Sequence, residues 1–320
     1  MDTSALFSRR IVLVTGKGGV GKTTVSAALA RVFARRGKRV LCGEVSPDAS
    51  APSAMAEALG GGPAGEAPVE VAPNIWSVLL TPSMGHRRFL QDTLPIKLLA
   101  DAAMRSGAVR KFLMAAPGFA DMGVMYRLLD LVRQKEADGR WRYDACVIDS
   151  PATGHALALA QIPELLVRVI PAGPIGRTAR EGLELLTDPT RTGAVVVTLP
   201  ETLPMTEALV LCAGLTRRRV PLAGFIVNRV PVDPFTLEER SALDRLLAAR
   251  GGVLGARELH RIDRASQAIR ALGEDVPAPL TLVPEYAART SELSELIADA
   301  LDPSPGHLAE KAAAIDGNSG

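Results

Sequence analysis

Apolar runs alternate with amphipathic stretches along this chain. Residues 10–15, 38–44, 75–80, 143–149, 166–170, 193–199, 223–228 and 279–283 are short apolar runs of strand length. Helical spacing appears between several of them. After the first run, Val25, Ala28, Leu29, Val32 and Phe33 share one helix face, and Gly37 ends that helix. This alternation predicts the α/β class: a doubly wound, mainly parallel sheet flanked by helices. Ligands of such sheets sit at the carboxyl ends of the strands. Two stretches break the rhythm. Residues 49–70, rich in Ala, Gly and Pro, predict a flexible loop, and residues 82–136 predict a long, mostly helical insertion. Residues 1–302 then form one domain, and the polar residues 303–320 predict a disordered tail.

The first helix is preceded by Gly16-Lys17-Gly18-Gly19-Val20-Gly21-Lys22-Thr23-Thr24. Residues 16–23 satisfy G-x-x-x-x-G-K-[ST] between a strand and a helix, the setting a phosphate-binding loop requires. Its glycines let successive backbone N–H groups point inward, and the helix N-terminus adds the positive end of its dipole. Lys22 then bridges the β- and γ-phosphates of a nucleotide, and Thr23 offers its hydroxyl to Mg²⁺. The implied ligands are a nucleoside triphosphate and Mg²⁺. A phosphate loop needs one lysine, so Lys17 is a second one without a role. Asp149 ends the run 143–149, where Mg²⁺ needs a carboxylate, and Gly154 follows in a small-residue turn open to a γ-phosphate. For nearby His155 the ordinary readings are core packing or helix capping.

Composition narrows the classes. With 37 basic and 35 acidic residues the net charge is +2, which gives no global field for nucleic acid. No apolar run reaches the roughly 18 residues of a membrane span. No signal-peptide pattern opens the chain, so the expected location is cytoplasmic. Cys42, Cys146 and Cys212 are scattered, and form no CxxC pair.

Longer segments carry a resemblance. The loop with its extra Lys17 is similar to that of a group of dimeric ATPases that includes partitioning ATPases and the nitrogenase iron protein. "DSPATGHALALAQIP" (149–163), "APGFADMGVMYRLLDL" (116–131), "DPTRTGAVVVTLPETLPMTEA" (188–208) and "GFIVNRV" (224–230) resemble one branch of it, the arsenite-pump and tail-anchored-protein-targeting ATPases (ArsA/GET-type). The likeness spans about residues 9–301. It implies a P-loop ATPase in which Lys17 reaches across a two-fold interface to the partner's phosphates, as an arginine finger does. The partner is a copy of the chain or a related paralogue. The likeness also implies that Asn228 hydrogen-bonds the adenine, with Pro284 and Glu285 wrapping the base.

The chain departs from the pattern in several places. Where the family carries Asp-Pro-Ala-His, this chain reads "CGEVSPDASAPS", with Ser46 at the position of the Asp that orients the attacking water. Serine carries no charge for that task. Asp48 is the candidate catalytic substitute and Glu44 a second. Ala158 replaces the family's Arg. The zinc-binding CxxC expected after residue 230 is missing, and three scattered cysteines do not build an arsenite site, which disfavours an arsenite-type pump. The insertion holds Met84, Met104, Met114, Met122 and Met125, which suits either a core or an adaptable surface for a hydrophobic client or membrane-protein partner. The expected function is an ATP-dependent dimeric switch with slow hydrolysis. The alternative is an ATP-binding regulatory subunit paired with an active paralogue. A membrane-surface partitioning ATPase would want a basic amphipathic helix near residues 286–301, which are acidic.

Overall fold

The computed structural model describes residues 4–93, 119–150, 161–168, 172–250, 255–276 and 278–302. In chain order the elements begin with α1 (Ser4–Ser8), β1 (Ile11–Gly16), α2 (Lys22–Arg35), β2 (Val40–Val45) and α3 (Ala54–Ala58). They continue with β3 (Val69–Ala72), β4 (Ile75–Leu80), α4 (Pro82–Thr93), α5 (Phe119–Val132), β5 (Ala145–Asp149) and α6 (Gly173–Thr187). The remainder are β6 (Thr192–Thr198), α7 (Thr202–Arg217), β7 (Leu222–Val230), α8 (Leu237–Arg250), α9 (Ala256–Asp275), β8 (Leu280–Pro284) and α10 (Thr290–Leu301).

The strands form one sheet in the order β3-β4-β2-β5-β1-β6-β7-β8. Every neighbouring pair is parallel except the edge pair β3–β4. Strand β1 shows why both faces must be covered. Ile11 and Leu13 enter one core with Ile148 and Val196, whereas Val12 and Val14 enter the other with Val25, Leu29 and Phe33. The period-2 alternation of a strand sends successive side chains to opposite layers, so a wholly apolar strand needs helices on both sides. On α2, Val25, Ala28, Leu29, Val32 and Phe33 are all fully buried, as their spacing predicts. Each large side chain so buried contributes about 1.5–3 kcal/mol. The helix stops where Gly37 takes φ 78°, the left-handed conformation that favours glycine at a helix end.

Two expectations are corrected. Residues 161–168 are helical, so the apolar run 166–170 is no strand over its described part; residues 169 and 170 lie outside the described residues. In that helix Ile162, Pro163 and Leu166 line one small apolar crevice together with Met125 and Leu129 of α5 and Ala179 of α6. A short apolar run has no period of its own, and tertiary packing chose the helix. The second correction concerns residues 49–70, which are not all loop. They hold α3, capped by Ser53, and the start of β3, which bonds antiparallel to β4. Edge strand β3 is only four residues long and half-exposed, too short for a periodic signal. The described parts of 82–136 are helical over α4 and α5. The stretch between them, with Met104 and Met114, lies outside the described residues, as do residues 303–320.

Candidate functional site

The central strand β1 lies between β5 and β6, and chain order reverses around it. The carboxyl ends of β1, β5 and β6 therefore meet at a topological switch point, where sheets of this kind open a crevice. The loop of residues 17–21 fills that crevice and ends at the first turn of α2. Gly16 and Gly21 take φ 151° and 90°. A side chain at Gly16 would strike the Val197 carbonyl, and one at Gly21 the Asn228 amide. Gly18 and Gly19 are exposed at the mouth, and Val20 is buried beneath them. The tight loop is thus held from below and open above.

Lys22 opens α2, and its Nζ donates to the Lys17 carbonyl, 3.0 Å away. Burial pushes the Lys22 ammonium below its usual pKa, while the charge of Asp149 opposes the shift. Thr24 sits half-buried on the same first turn. The Thr23 hydroxyl donates to Asp149 Oδ2 at 2.5 Å. Asp149 is buried, and its Oδ1 has no hydrogen-bond partner. Burial raises the Asp149 carboxyl to about 6; the Thr23 hydrogen bond, Lys22 and the nearby Ser26 hydroxyl, which makes no well-formed hydrogen bond to it, pull it down, and Glu44 on the adjacent strand pushes it up. A hydroxyl beside a carboxylate with an unused, buried oxygen is a hard oxygen donor set, and it fits Mg²⁺.

At the end of β7, Asn228 is buried and its Nδ2 donates to the Val20 carbonyl at 2.9 Å. It therefore braces the phosphate loop from behind, a role its sequence context did not announce. The ladder to β8 shifts between Val227 and Val230, and Arg229 takes φ 55°. Pro284 ends β8 opposite Val230, and the Glu285 N–H donates to the Val230 carbonyl. The Glu285 carboxylate pairs with Arg261 at 2.7 Å. Beside these strand ends lies a cavity of about 760 Å³, lined by Leu199, Thr202, Arg229, Pro231, Arg264 and Glu285 among others. It is large enough for a nucleoside.

The second lysine has a partner that sequence reading missed. Lys17 Nζ lies 2.9 Å from Glu207 Oε1 of α7. Glu207 falls within the segment 188–208, but a single acid on an amphipathic helix reads as solvated surface. The candidate water-positioning acids are engaged elsewhere. Ser46 is buried, and its hydroxyl donates to the Asp48 carbonyl. The Asp48 carboxylate is exposed and accepts from the Ser50 N–H and hydroxyl, which hold it below the usual carboxylate range. Glu44 accepts from the Ser53 hydroxyl and from the N–H groups of Ala54 and Met55, capping α3. Gly154, His155 and Ala158 lie outside the described residues. Cys42, Cys146 and Cys212 are free and buried, and burial pushes all three thiols up. In apolar cores they act as small hydrophobes.

A parallel sheet whose central strand delivers a G-x-x-x-x-G-K-T loop to a helix N-terminus, with an acid on the next strand, defines a P-loop nucleotide-binding protein. Comparison with known proteins carries this further. Residues 9–172 match the anion-transporting ATPase family (ArsA_ATPase), and the chain belongs to that family. It is 28% identical to the ATPase BagA of Mycobacterium tuberculosis over 231 residues, 71% of this chain and 66% of that protein. It is 29% identical to an arsenical pump-driving ATPase of Escherichia coli over 71% of this chain and 36% of the relative. It is 26% identical to the ATPase ASNA1 homolog 2 of Paramecium tetraurelia over 50% of this chain and 46% of the relative. The chain thus spans less than two thirds of the length of these curated relatives.

Proposed function

We propose that this chain is a cytoplasmic, ATP-dependent dimeric switch that binds Mg²⁺-ATP, hydrolyses it slowly and couples nucleotide state to a protein partner or a hydrophobic client. One observation carries the reading: Lys22, Thr23 and the buried, half-satisfied Asp149 converge where the α2 N-terminus meets the Gly-rich loop. The backbone N–H groups of Gly18, Gly19, Val20 and Gly21 cradle the phosphates, and Lys22 leaves the Lys17 carbonyl to neutralise the β- and γ-oxygens. Thr23 and Asp149 would hold Mg²⁺, which would supply positive charge to the bound phosphates. Gly154 gives its N–H to the γ-phosphate. Thr24 donates from the first helical turn. The cavity beside Asn228, Pro284 and Glu285 takes the adenosine end. Lys17 of a second subunit, a copy or a related chain, completes the site with charge that matters most in phosphoryl transfer.

Asp48 is the acid proposed to orient the attacking water after leaving Ser50. For a client to bind here, α4, α5, α6 and residues 161–168 must part around the apolar crevice lined by Phe89, Met122, Met125 and Tyr126, because its volume of about 20 Å³ holds no side chain. Nucleic acid is not an expected partner. Among the described residues no helix is long and apolar enough to cross a membrane.

A second reading, the weakly hydrolysing regulatory subunit, is favoured by Ser46 at the expected acid position and by the prior engagement of Glu44 and Asp48. Steady-state ATP turnover of the wild-type chain and of Asp48→Asn separates the two. Measurable turnover that falls at least about tenfold in the variant, with nucleotide affinity kept, supports the switch. No turnover in either chain supports the subunit. ATP-dependent capture of an apolar helical peptide tests the client, and capture that ignores nucleotide refutes it.

A further inference from the structure

Both lysines of the phosphate loop are occupied before any nucleotide arrives. Lys22 rests on the loop's own carbonyl, and Lys17 rests on Glu207 of the same chain. The second contact follows from sheet order. Strands β1 and β6 are parallel neighbours with Gly16 opposite Val197, so the phosphate loop and the start of α7 leave the sheet side by side. Glu207 sits early on α7 and meets Lys17 across 190 residues of chain. The two side chains are 36% and 39% exposed, so water screens the pair and it is weak enough to exchange.

We infer that Glu207 is a positioning residue for Lys17: it holds the ammonium against its own subunit and must release it before Lys17 can serve phosphates in a neighbouring one. The inference rests on the proposed role of Lys17 across a dimer. The physical logic is a competition between acceptors for one cation. A lone carboxylate holds Lys17 when no partner phosphate is near, and a Mg²⁺-triphosphate with several anionic oxygens outbids it. A nucleoside diphosphate offers less charge and leaves Lys17 with Glu207. The pair therefore sets the protein concentration at which ATP closes the dimer, and it favours reopening after the γ-phosphate leaves.

The test is sedimentation velocity of the full chain with Mg²⁺ and a slowly hydrolysed ATP analogue. Wild type, Glu207→Gln, Glu207→Ala, Lys17→Ala and the double variant Lys17→Ala/Glu207→Gln are compared, each first shown folded by its thermal transition. Removing the carboxylate should let the dimer form at about two- to fivefold lower protein concentration, the reach of an exposed ion pair. Lys17→Ala should abolish the nucleotide-dependent dimer, and the double variant should match it, because Glu207 acts only through Lys17. A purely structural role for Glu207 would instead lower the thermal transition of Glu207→Gln and of the double variant alike. If Lys17→Ala abolishes the dimer but both Glu207 variants leave its threshold unchanged or raise it, the inference is wrong and the Lys17 reading survives. If Lys17→Ala dimerises like wild type, or wild type forms no nucleotide-dependent dimer, the underlying reading falls and the inference falls with it.

Discussion

Replacing Asp149 with asparagine should raise the stability of the nucleotide-free chain and cut the stabilisation that Mg²⁺-ATP brings. In the nucleotide-free chain the Asp149 carboxyl is raised from 3.8 to about 6, chiefly by burial. A carboxyl raised in the folded state binds its proton more tightly there than in the unfolded chain. Its contribution to stability is intact below pH 3.8 and is lost as pH rises through about 6. At roughly 1.4 kcal/mol per tenfold change in the ionisation constant, the full penalty above that range is about 3 kcal/mol. Asparagine carries no such penalty and still accepts from the Thr23 hydroxyl, although its new N–H₂ lies near Lys22, so a gain of about 1–3 kcal/mol is expected. In chelator at pH 8 the variant should melt about 1.5–4.5 °C above wild type, and the gap should shrink towards pH 4. Saturating Mg²⁺-ATP narrows that gap, and reverses it where the Mg²⁺-dependent gain exceeds the variant's advantage. Wild type gains about 2.7 kcal/mol at a hundredfold excess over Kd, and the variant loses the Mg²⁺-dependent part of that gain. Differential scanning calorimetry at both pH values, with and without Mg²⁺-ATP, reads all of these terms. A variant less stable than wild type at pH 8 in chelator, or one that keeps the full Mg²⁺-dependent gain, would refute the assignment of Asp149 as a strained carboxylate waiting for a cation.

Two further substitutions probe the loop from below. Asn228→Ala leaves the buried Val20 carbonyl without its donor and should cost about 1–3 kcal/mol in urea unfolding, with nucleotide binding weakened in parallel by calorimetric titration. Unchanged affinity would mean that Asn228 does not shape the phosphate loop. Gly21→Ala meets both a left-handed backbone angle and the Asn228 amide, so it should destabilise by at least about 1–2 kcal/mol. Pairing it with Asn228→Ala should recover part of that loss, and full additivity of the two would argue against the collision.

Much of the fold was legible because burial is periodic and local. The runs that became β1, β2, β4, β5, β6, β7 and β8 are predominantly apolar, as the strands of a sheet covered by helices on both faces tend to be, with polar residues such as Asp149 and Asn228 near their carboxyl ends. The misread run at 166–170 and the missed edge strand β3 are the places where that signal is weakest. One is short and apolar without a period, and the other is four half-exposed residues whose pairing with β4 supplies what their composition does not.

The sequence by itself determined the phosphate loop. Its residues are consecutive, and only glycine takes the angles found at Gly16 and Gly21 without strain before a helix that begins at Lys22. Only tertiary structure decided what stands around it. Thr23 meets Asp149 across 126 residues, Lys17 meets Glu207 across 190, and Val20 meets Asn228 across 208. Nothing local marks Glu207 as different from any other acid on a helix surface. Sheet order, with β5 and β6 flanking β1 and β7 beyond, brings these side chains to one edge. That order is selected by how whole faces pack, not by any short stretch of chain.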